Sequence, residues 1–262
     1  MEKKWQFAAQ HALGSARGIV RLAMSHPIFA AKLLTCRAKY FLRRELTKTL
    51  LTPQNFLIAT PDALIAYWSM FVERELHASE WVRALLSTKN PLIVDVGANA
   101  GVFSHYVHCL KHDSSFIAFE PLPKMVQRLN ELKNRTSMNM EIHQKAVSDE
   151  CGEAWFETAH GYDGTSKLAS DKESTGNRIR VDTTTLDAVL ASRHILLMKI
   201  DVEGFECNVI KGGLKCLSQT DYVIMESESA DHLTKVSAAL GNNWASRKVG
   251  ATDYLFFKKA AH

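Results

Sequence analysis

From residue 91 onward the sequence alternates short apolar runs of five or six residues with segments of helical spacing. Few architectures accommodate that alternation. A strand buried on both faces needs a covering layer on each side, and helices between successive strands supply it. The spacing predicts strands at 92–96, 115–119, 140–143, 153–157, 196–201, 222–226 and 253–258, with helices between most of them. The expected fold class is therefore α/β, with a mostly parallel sheet. After 153–157 comes the polar stretch "HGYDGTSKLASDKESTGN", whose Gly161, Gly164 and Gly176 mark an inserted hairpin or flap.

Three of these strands end in similar chemistry. "PLIVDVGANAGVFSHYV" (91–107) is an apolar strand carrying Asp95 near its end, followed by Gly97, Asn99 and Gly101 at the mouth of a helix. Glycines there permit a tight turn and close approach of a ligand to backbone N–H groups. The spacing Asp95-x-Gly97-x-x-x-Gly101 departs from the G-x-G-x-x-G fingerprint of dinucleotide folds, which disfavours a nicotinamide-linked dehydrogenase. It resembles motif I of the S-adenosylmethionine-dependent methyltransferases. That cofactor has no pyrophosphate to cradle but carries an amino-acid tail, which a strand-end carboxylate can bind. In "FIAFEPLP" (116–123), Glu120 and Pro121 close the next strand, and a carboxylate there can accept both ribose hydroxyls. In "KAVSDECG" (145–152), Ala146 and Val147 suit an adenine ring, and Asp149 its exocyclic amine. Each signal alone also fits an ordinary strand-to-helix turn; together, in chain order, they point to one nucleoside-containing cofactor.

"VDVGANAGVFS", "AFEPLP", "KAVSD", "TTTLDAVL" and "LLMKIDVEGFECNVIKGG", in that order, resemble the FkbM-type methyltransferase family over roughly residues 90–227. The resemblance implies a Rossmann-like class I methyltransferase sheet, with "ATDYLFFKK" as an antiparallel last strand. It implies S-adenosyl-L-methionine as cofactor and O-methylation of a hydroxyl on a glycan or small-molecule, secondary-metabolite acceptor. Residues 1–50 fall outside it.

The stretch "LLMKIDVEGFE" (196–206) sets Lys199 inside an apolar strand and Asp201, Glu203 and Glu206 just beyond it. Charge buried without a partner is costly. Asp201 is expected beside the cofactor and the transferring methyl group. Two mechanisms fit: Asp201 or Glu203 takes the acceptor proton directly, or Asp201 and Glu226 hold a hard divalent cation that lowers the acceptor pKa. The second resembles catechol O-methyltransferase, but Ser227 stands where such a site needs an amide, so the metal-free route is preferred. Lys199 points the same way as Asp201, two residues on, and is expected to pair with Asp201 or Glu226. Glu206 is read as a helix-start acid complementing the dipole; Glu203 fits either that role or the base. His105, His108 and His112 share one helix without a third ligand, and His160 sits in the flap, so no metal site is assigned to them.

Charge separates the chain into two parts. Residues 1–50 hold ten Lys/Arg against two acids, a local +8, while the other 212 residues hold 22 basic and 26 acidic, a local −4. The expected organisation is a basic amphipathic helical extension, 1–50, and a cofactor-binding domain, 51–262. The extension suits packing on the body, self-association or an anionic membrane surface. The acidic body, with no Asn/Asp-Pro-Pro-aromatic segment, argues against nucleic acid as partner. Five scattered cysteines without C-x-x-C spacing read as reduced thiols, and with no secretory signal or ~20-residue apolar span the expected location is cytoplasmic. The rival function is a non-catalytic cofactor binder whose basic arm docks to a partner or membrane.

Overall fold

The computed structural model describes residues 80–158, 167–168, 177–190, 192–227, 229–250 and 252–259, with residues 23, 24, 27, 30, 31, 34, 50–51 and 57–58. It divides into two compact units, Met1–Ala78 and Ser79–His262. In the first, β1 (Leu50–Leu51) pairs antiparallel with β2 (Leu57–Ile58). Residues 23, 24, 27, 30, 31 and 34 are helical, with Ala30 buried. The rest of the basic extension lies outside the described residues, as does His160. No helix among the described residues is long and apolar enough to cross a membrane.

The second unit begins with α1 (Glu80–Ser87), then β3 (Leu92–Val96), α2 (Val102–Leu110), β4 (Ser115–Phe119), α3 (Pro123–Thr136) and β5 (Asn139–His143). The short β6 (Ala146–Val147), β7 (Gly152–Thr158), β8 (Lys167–Leu168) and β9 (Asn177–Thr184) follow. The chain continues through α4 (Leu186–Leu190), β10 (Ile195–Ile200), α5 (Glu206–Lys211), α6 (Leu214–Ser218) and β11 (Thr220–Glu226). It closes with α7 (Ala230–Leu240), β12 (Trp244–Lys248) and β13 (Asp253–Lys258).

Seven strands form one sheet in the order β12-β13-β11-β10-β3-β4-β5. β5, β4, β3, β10 and β11 run parallel, and β13 pairs antiparallel with both β11 and β12, so only β13 is reversed. This is the expected mostly parallel sheet with an antiparallel last strand. Val94 faces Ile117 and Met198 across the ladder, Met198 faces Val223, and Val223 faces Phe256. These five belong to one core shared with Leu186, Val209, Ile210, Leu217 and Val236 from α4 to α7. The alternate positions Ile93, Phe116 and Leu197 point to the other face, where Trp81, Leu85, Phe103 and Tyr106 of α1 and α2 are also buried. Asp95 and Lys199 are opposite each other in register on that second face.

Besides the two-residue β6 and β8, two longer strands of this unit, β9 and β12, lie outside the expected positions. β12, "WASRK", has one apolar alternation and is mostly exposed, while β9, "NRIRVDTT", alternates weakly. β9 makes the expected flap into a second, four-stranded sheet of order β6-β9-β7-β8. Its inner side chains Phe156 and Val181 are buried with Leu122, Met125 and Ala146, and Phe205 packs against them. Glu153, Trp155 and Arg180 form part of the exposed side, tied by an Arg180–Glu153 ion pair of 2.6 Å.

Candidate functional site

β3 has β4 on one side and β10, much later in sequence, on the other. The chain order reverses at this point, and in open α/β sheets the space beyond such strand ends is where ligands bind. The residues singled out from the sequence as Asp95, Gly97, Asn99, Gly101, Glu120 and Asp201 all lie at the ends of these three neighbouring strands or in the turns that follow.

Asp95 is buried at 1% exposure. Ser104 Oγ, one turn into α2, donates to its Oδ2 at 2.6 Å, while Oδ1 is buried without a hydrogen-bond partner. Burial pushes the Asp95 pKa up; the Lys199 charge and the Ser104 hydroxyl oppose it. The backbone after Asp95 turns back on itself: Gly97, Asn99 and Gly101 have φ of 78°, 49° and 78°. Gly97 is required for more than its φ. A Cβ there would lie 1.9 Å from the Asp201 carbonyl oxygen. The amides of Gly97 and Ala98 both donate to Phe119 O at 3.0 Å, tying the turn to β4.

Glu120 is 5% exposed and accepts from Asn99 N (2.8 Å) and Leu122 N (2.9 Å). Desolvation raises its pKa to about 7 despite those two amides, and the Asp95 and Asp201 charges add to the rise. Pro121 follows and is buried, and Pro123 opens α3. Asn99 Oδ1 is a second buried acceptor without a hydrogen-bond partner. Ala146 and Val147 are buried in β6. Asp149 is exposed and its Oδ1 is held by Asn208 Nδ2 (3.1 Å) and Ser148 Oγ (3.0 Å), which keeps its pKa below the ordinary value. The loop carrying it packs so closely on the end of α5 that a Cβ at Gly212 would lie 2.1 Å from Ser148 O. That explains "IKGG", while Asp187 of "TTTLDAVL" accepts from Cys216 N (2.7 Å) and Lys215 N (3.2 Å) at the same place.

Of the two partners expected for Lys199, the structure pairs it with Asp201: Nζ donates to Oδ2 at 2.5 Å. Burial works to lower the Lys199 pKa, but the Asp201 and Asp95 charges outweigh it, so the ammonium is held charged. It also lies 5.9 Å from the Phe103 ring centroid. Glu226, at the end of the adjacent β11, accepts from Thr252 Oγ1 at 2.6 Å. Asp201, Glu203 and Glu226 each have a carboxylate oxygen within 4.8 Å of the other two. Glu203 thus joins the pair Asp201 and Glu226 that the sequence had offered as a cation site.

Glu206 opens α5, as its reading as a helix-start acid expects, but it also has contacts outside the helix. It is 2% exposed, and its Oε1 accepts from Val202 N and Gly204 N of the turn before α5. Ser104, Phe103, Asn208, Thr252 and His232 are site neighbours that sequence reasoning missed; the first four lie inside quoted stretches without being singled out, and His232 lies outside all of them. His108 Nε2 on α2 and His112 Nδ1 come within 3.4 Å of each other, but His112 lies beyond the helix, which ends at Leu110, and does not share it as expected.

Can these residues hold S-adenosylmethionine? The unpartnered acceptors Asp95 Oδ1 and Asn99 Oδ1 suit an ammonium, Gly97 lets the turn that carries Asn99 lie against the Asp201 backbone, and Glu120 offers a carboxylate that bonds Asn99 N. The donor set fits.

Comparison with known proteins gives a consistent picture. A family model described as the methyltransferase FkbM domain matches residues 95–241. Hexuronic acid methyltransferase AglP of Haloferax volcanii is 29% identical over 157 residues, covering 58% of this chain and 64% of that protein. The 2-O-methyltransferase NoeI of Sinorhizobium fredii is 28% identical over 161 residues, covering 55% of this chain and 65% of that protein. The chain therefore spans a little under two thirds of the length of these relatives. A S-adenosylmethionine-dependent methyltransferase structure from Aquifex aeolicus aligns with a TM-score of 0.41 at 11% identity, covering 68% of this chain and 86% of that one, too distant to bear on function.

Proposed function

The chain belongs to the methyltransferase FkbM domain family, and on that premise we propose that it is an S-adenosylmethionine-dependent O-methyltransferase acting on a hydroxyl of a glycan or small-molecule acceptor. The observation that carries this reading is the pair of buried, unpartnered acceptors, Asp95 Oδ1 and Asn99 Oδ1, beside the Gly97 turn. Burying acceptors without partners costs about 1–3 kcal/mol each, which a ligand bearing an ammonium group recovers. The names of two relatives, a hexuronic acid methyltransferase and a 2-O-methyltransferase, favour a sugar hydroxyl.

When bound, the cofactor supplies an electrophilic methyl group on a sulfonium. Asp95 and Asn99 bind its ammonium group, Glu120 accepts from the ribose hydroxyls, and Ala146, Val147 and the Asp149 loop border the adenine. The remaining work of the chain is to align the acceptor hydroxyl and take its proton. Asp201 is suited to both. Lys199 holds Oδ2 and so fixes the side chain, leaving Oδ1 to receive the proton. Glu203, within reach of the same point, is the second proton acceptor. With Lys199 claiming Asp201 Oδ2 and Ser227 in place of an amide, the metal-free route is the one we adopt.

Calorimetry with S-adenosylhomocysteine, followed by a radiolabelled methyl-transfer screen over hydroxylated acceptors, tests the proposal. Asp95→Ala and Glu120→Ala should each weaken binding at least tenfold. Binding without transfer to any acceptor would favour the non-catalytic binder; unchanged affinity in both variants would refute the site.

A further inference from the structure

The turn joining β10 to α5, residues 201–205, carries the two carboxylates of the proposed reaction and holds an unfavourable shape. Glu203 has φ 52° and Gly204 φ 97°, so two consecutive residues sit in the left-handed region, and only one of them is glycine. Asp201 N is anchored on Val96 O at 3.0 Å. The amides of Val202 and Gly204 both donate to one atom, Glu206 Oε1, at 3.3 and 3.2 Å.

The other oxygen of Glu206 reaches a different element. Oε2 lies 3.0 Å from His232 Nε2, close enough for an ion pair though off the line of a hydrogen bond. His232 stands in the first turn of α7, where its own amide donates to Ser229 Oγ at 3.1 Å. Ser229 is fixed in turn by Ser227, whose hydroxyl donates to Ser229 O at 3.0 Å directly after the Glu226 strand end. A continuous set of contacts thus joins the two acidic strand ends, β10 and β11, behind the turn. A carboxylate serving only the helix dipole gains nothing from burial and loses its hydration. A carboxylate that must hold two amides of a strained turn needs to be where Glu206 is.

We propose that Glu206 and His232 form a clamp that positions the Asp201–Glu203 turn for proton acceptance, resting on the function proposed above. Neither residue touches substrate; both act through the turn, with Glu206 holding the backbone and His232 holding Glu206. Supporting groups set the geometry of reacting ones to within fractions of an ångström, and a misplacement of about 1 Å costs roughly 100-fold in rate.

Three full-length variants test this: Glu206→Ala, Glu206→Gln and His232→Ala. Each is measured for amide hydrogen exchange at Val202 and Gly204, for S-adenosylhomocysteine affinity, and for kcat. Glu206→Ala should speed exchange at both amides at least tenfold and lower kcat by about 10- to 100-fold, with affinity within twofold of wild type. Glu206→Gln keeps an oxygen for both amides and should recover most of kcat; His232→Ala should fall between. If Glu206→Ala does not fold, the other two carry the same comparison. The clamp is overturned by unchanged exchange at Val202 and Gly204, by affinity falling in step with kcat, or by Glu206→Gln being as impaired as the alanine variant. Should wild type transfer no methyl group, the proposed function fails, and the exchange measurement alone decides the clamp.

Discussion

Replacing Gly97 by alanine should damage the protein more than its size suggests, and the structure allows the damage to be divided. Holding alanine at φ 78° costs about 1–2 kcal/mol from clash with its own carbonyl. The new Cβ would then sit 1.9 Å from the Asp201 carbonyl oxygen, a backbone atom that no rotamer change can move. Relief requires the ends of β3 and β10 to part, which strains packing by about 1–3 kcal/mol. It also weakens the Asp201 N–Val96 O hydrogen bond, worth about 1 kcal/mol. A total near 4 kcal/mol corresponds to a fall in Tm of about 8–16 °C for a unit of this size. Gly241→Ala is the control. Its φ of 89° with ψ of 174° also favours glycine, but a Cβ there meets nothing within 4 Å. It should cost about 1–3 kcal/mol, from the backbone alone, and lower Tm by about 2–12 °C. Circular dichroism melts and calorimetry with S-adenosylhomocysteine check both: Gly97→Ala should also lose at least tenfold in affinity, and Gly241→Ala none. If the two variants melt together, the close approach of the strand ends does not constrain position 97, and the reasoning is refuted.

Glu120 gives a pH signature. Its pKa rises from 4.5 to about 7 on folding, so the folded state holds the proton more tightly; this contribution to stability is present below about pH 4.5 and lost as pH rises through about 7. The loss is on the order of 3 kcal/mol, and Glu120→Gln should flatten it in denaturant titrations compared with wild type. Over the same range cofactor affinity should increase, because the ribose hydroxyls need the carboxylate; an affinity independent of pH in wild type would contradict that role. Lys199→Met leaves the Asp95 and Asp201 charges without their shared cation and should cost about 2 kcal/mol, less than a fully buried pair because Asp201 is partly hydrated. Adding Asp201→Leu should restore part of it, and additive losses in urea unfolding would argue against the pairing. Chelation by EDTA should leave turnover unchanged; recovery of lost activity with Mg²⁺ would instead assign Asp201, Glu203 and Glu226 to a cation.

Most of the sheet was legible because its strands are buried on both faces, and continuous apolar runs such as "LIVDV" and "ILLMKI" have no other stable use. β9 and β12 were illegible for the opposite reason: each is exposed on one side or lies at an edge, so its residues carry little hydrophobic signal. The candidate site divides in the same way. Asp95, Gly97, Glu120 and Asp201 could be named in advance because strand-end chemistry is local: an acid or glycine at the carboxyl end of a buried strand is conspicuous against its neighbours. Lys199 beside Asp201 was foreseeable from the two-residue period of a strand.

What the sequence determined by itself is therefore the class of fold, the family, and which strand ends carry carboxylates. Only the tertiary structure decided what those carboxylates touch. Ser104 on Asp95, Thr252 on Glu226 and His232 against Glu206 come from segments whose spacing carries no trace of the contact. A side chain's exposure and partners depend on elements brought together by packing, and for Glu206 that packing turned an ordinary helix-start acid into a buried one bonded to the turn behind it.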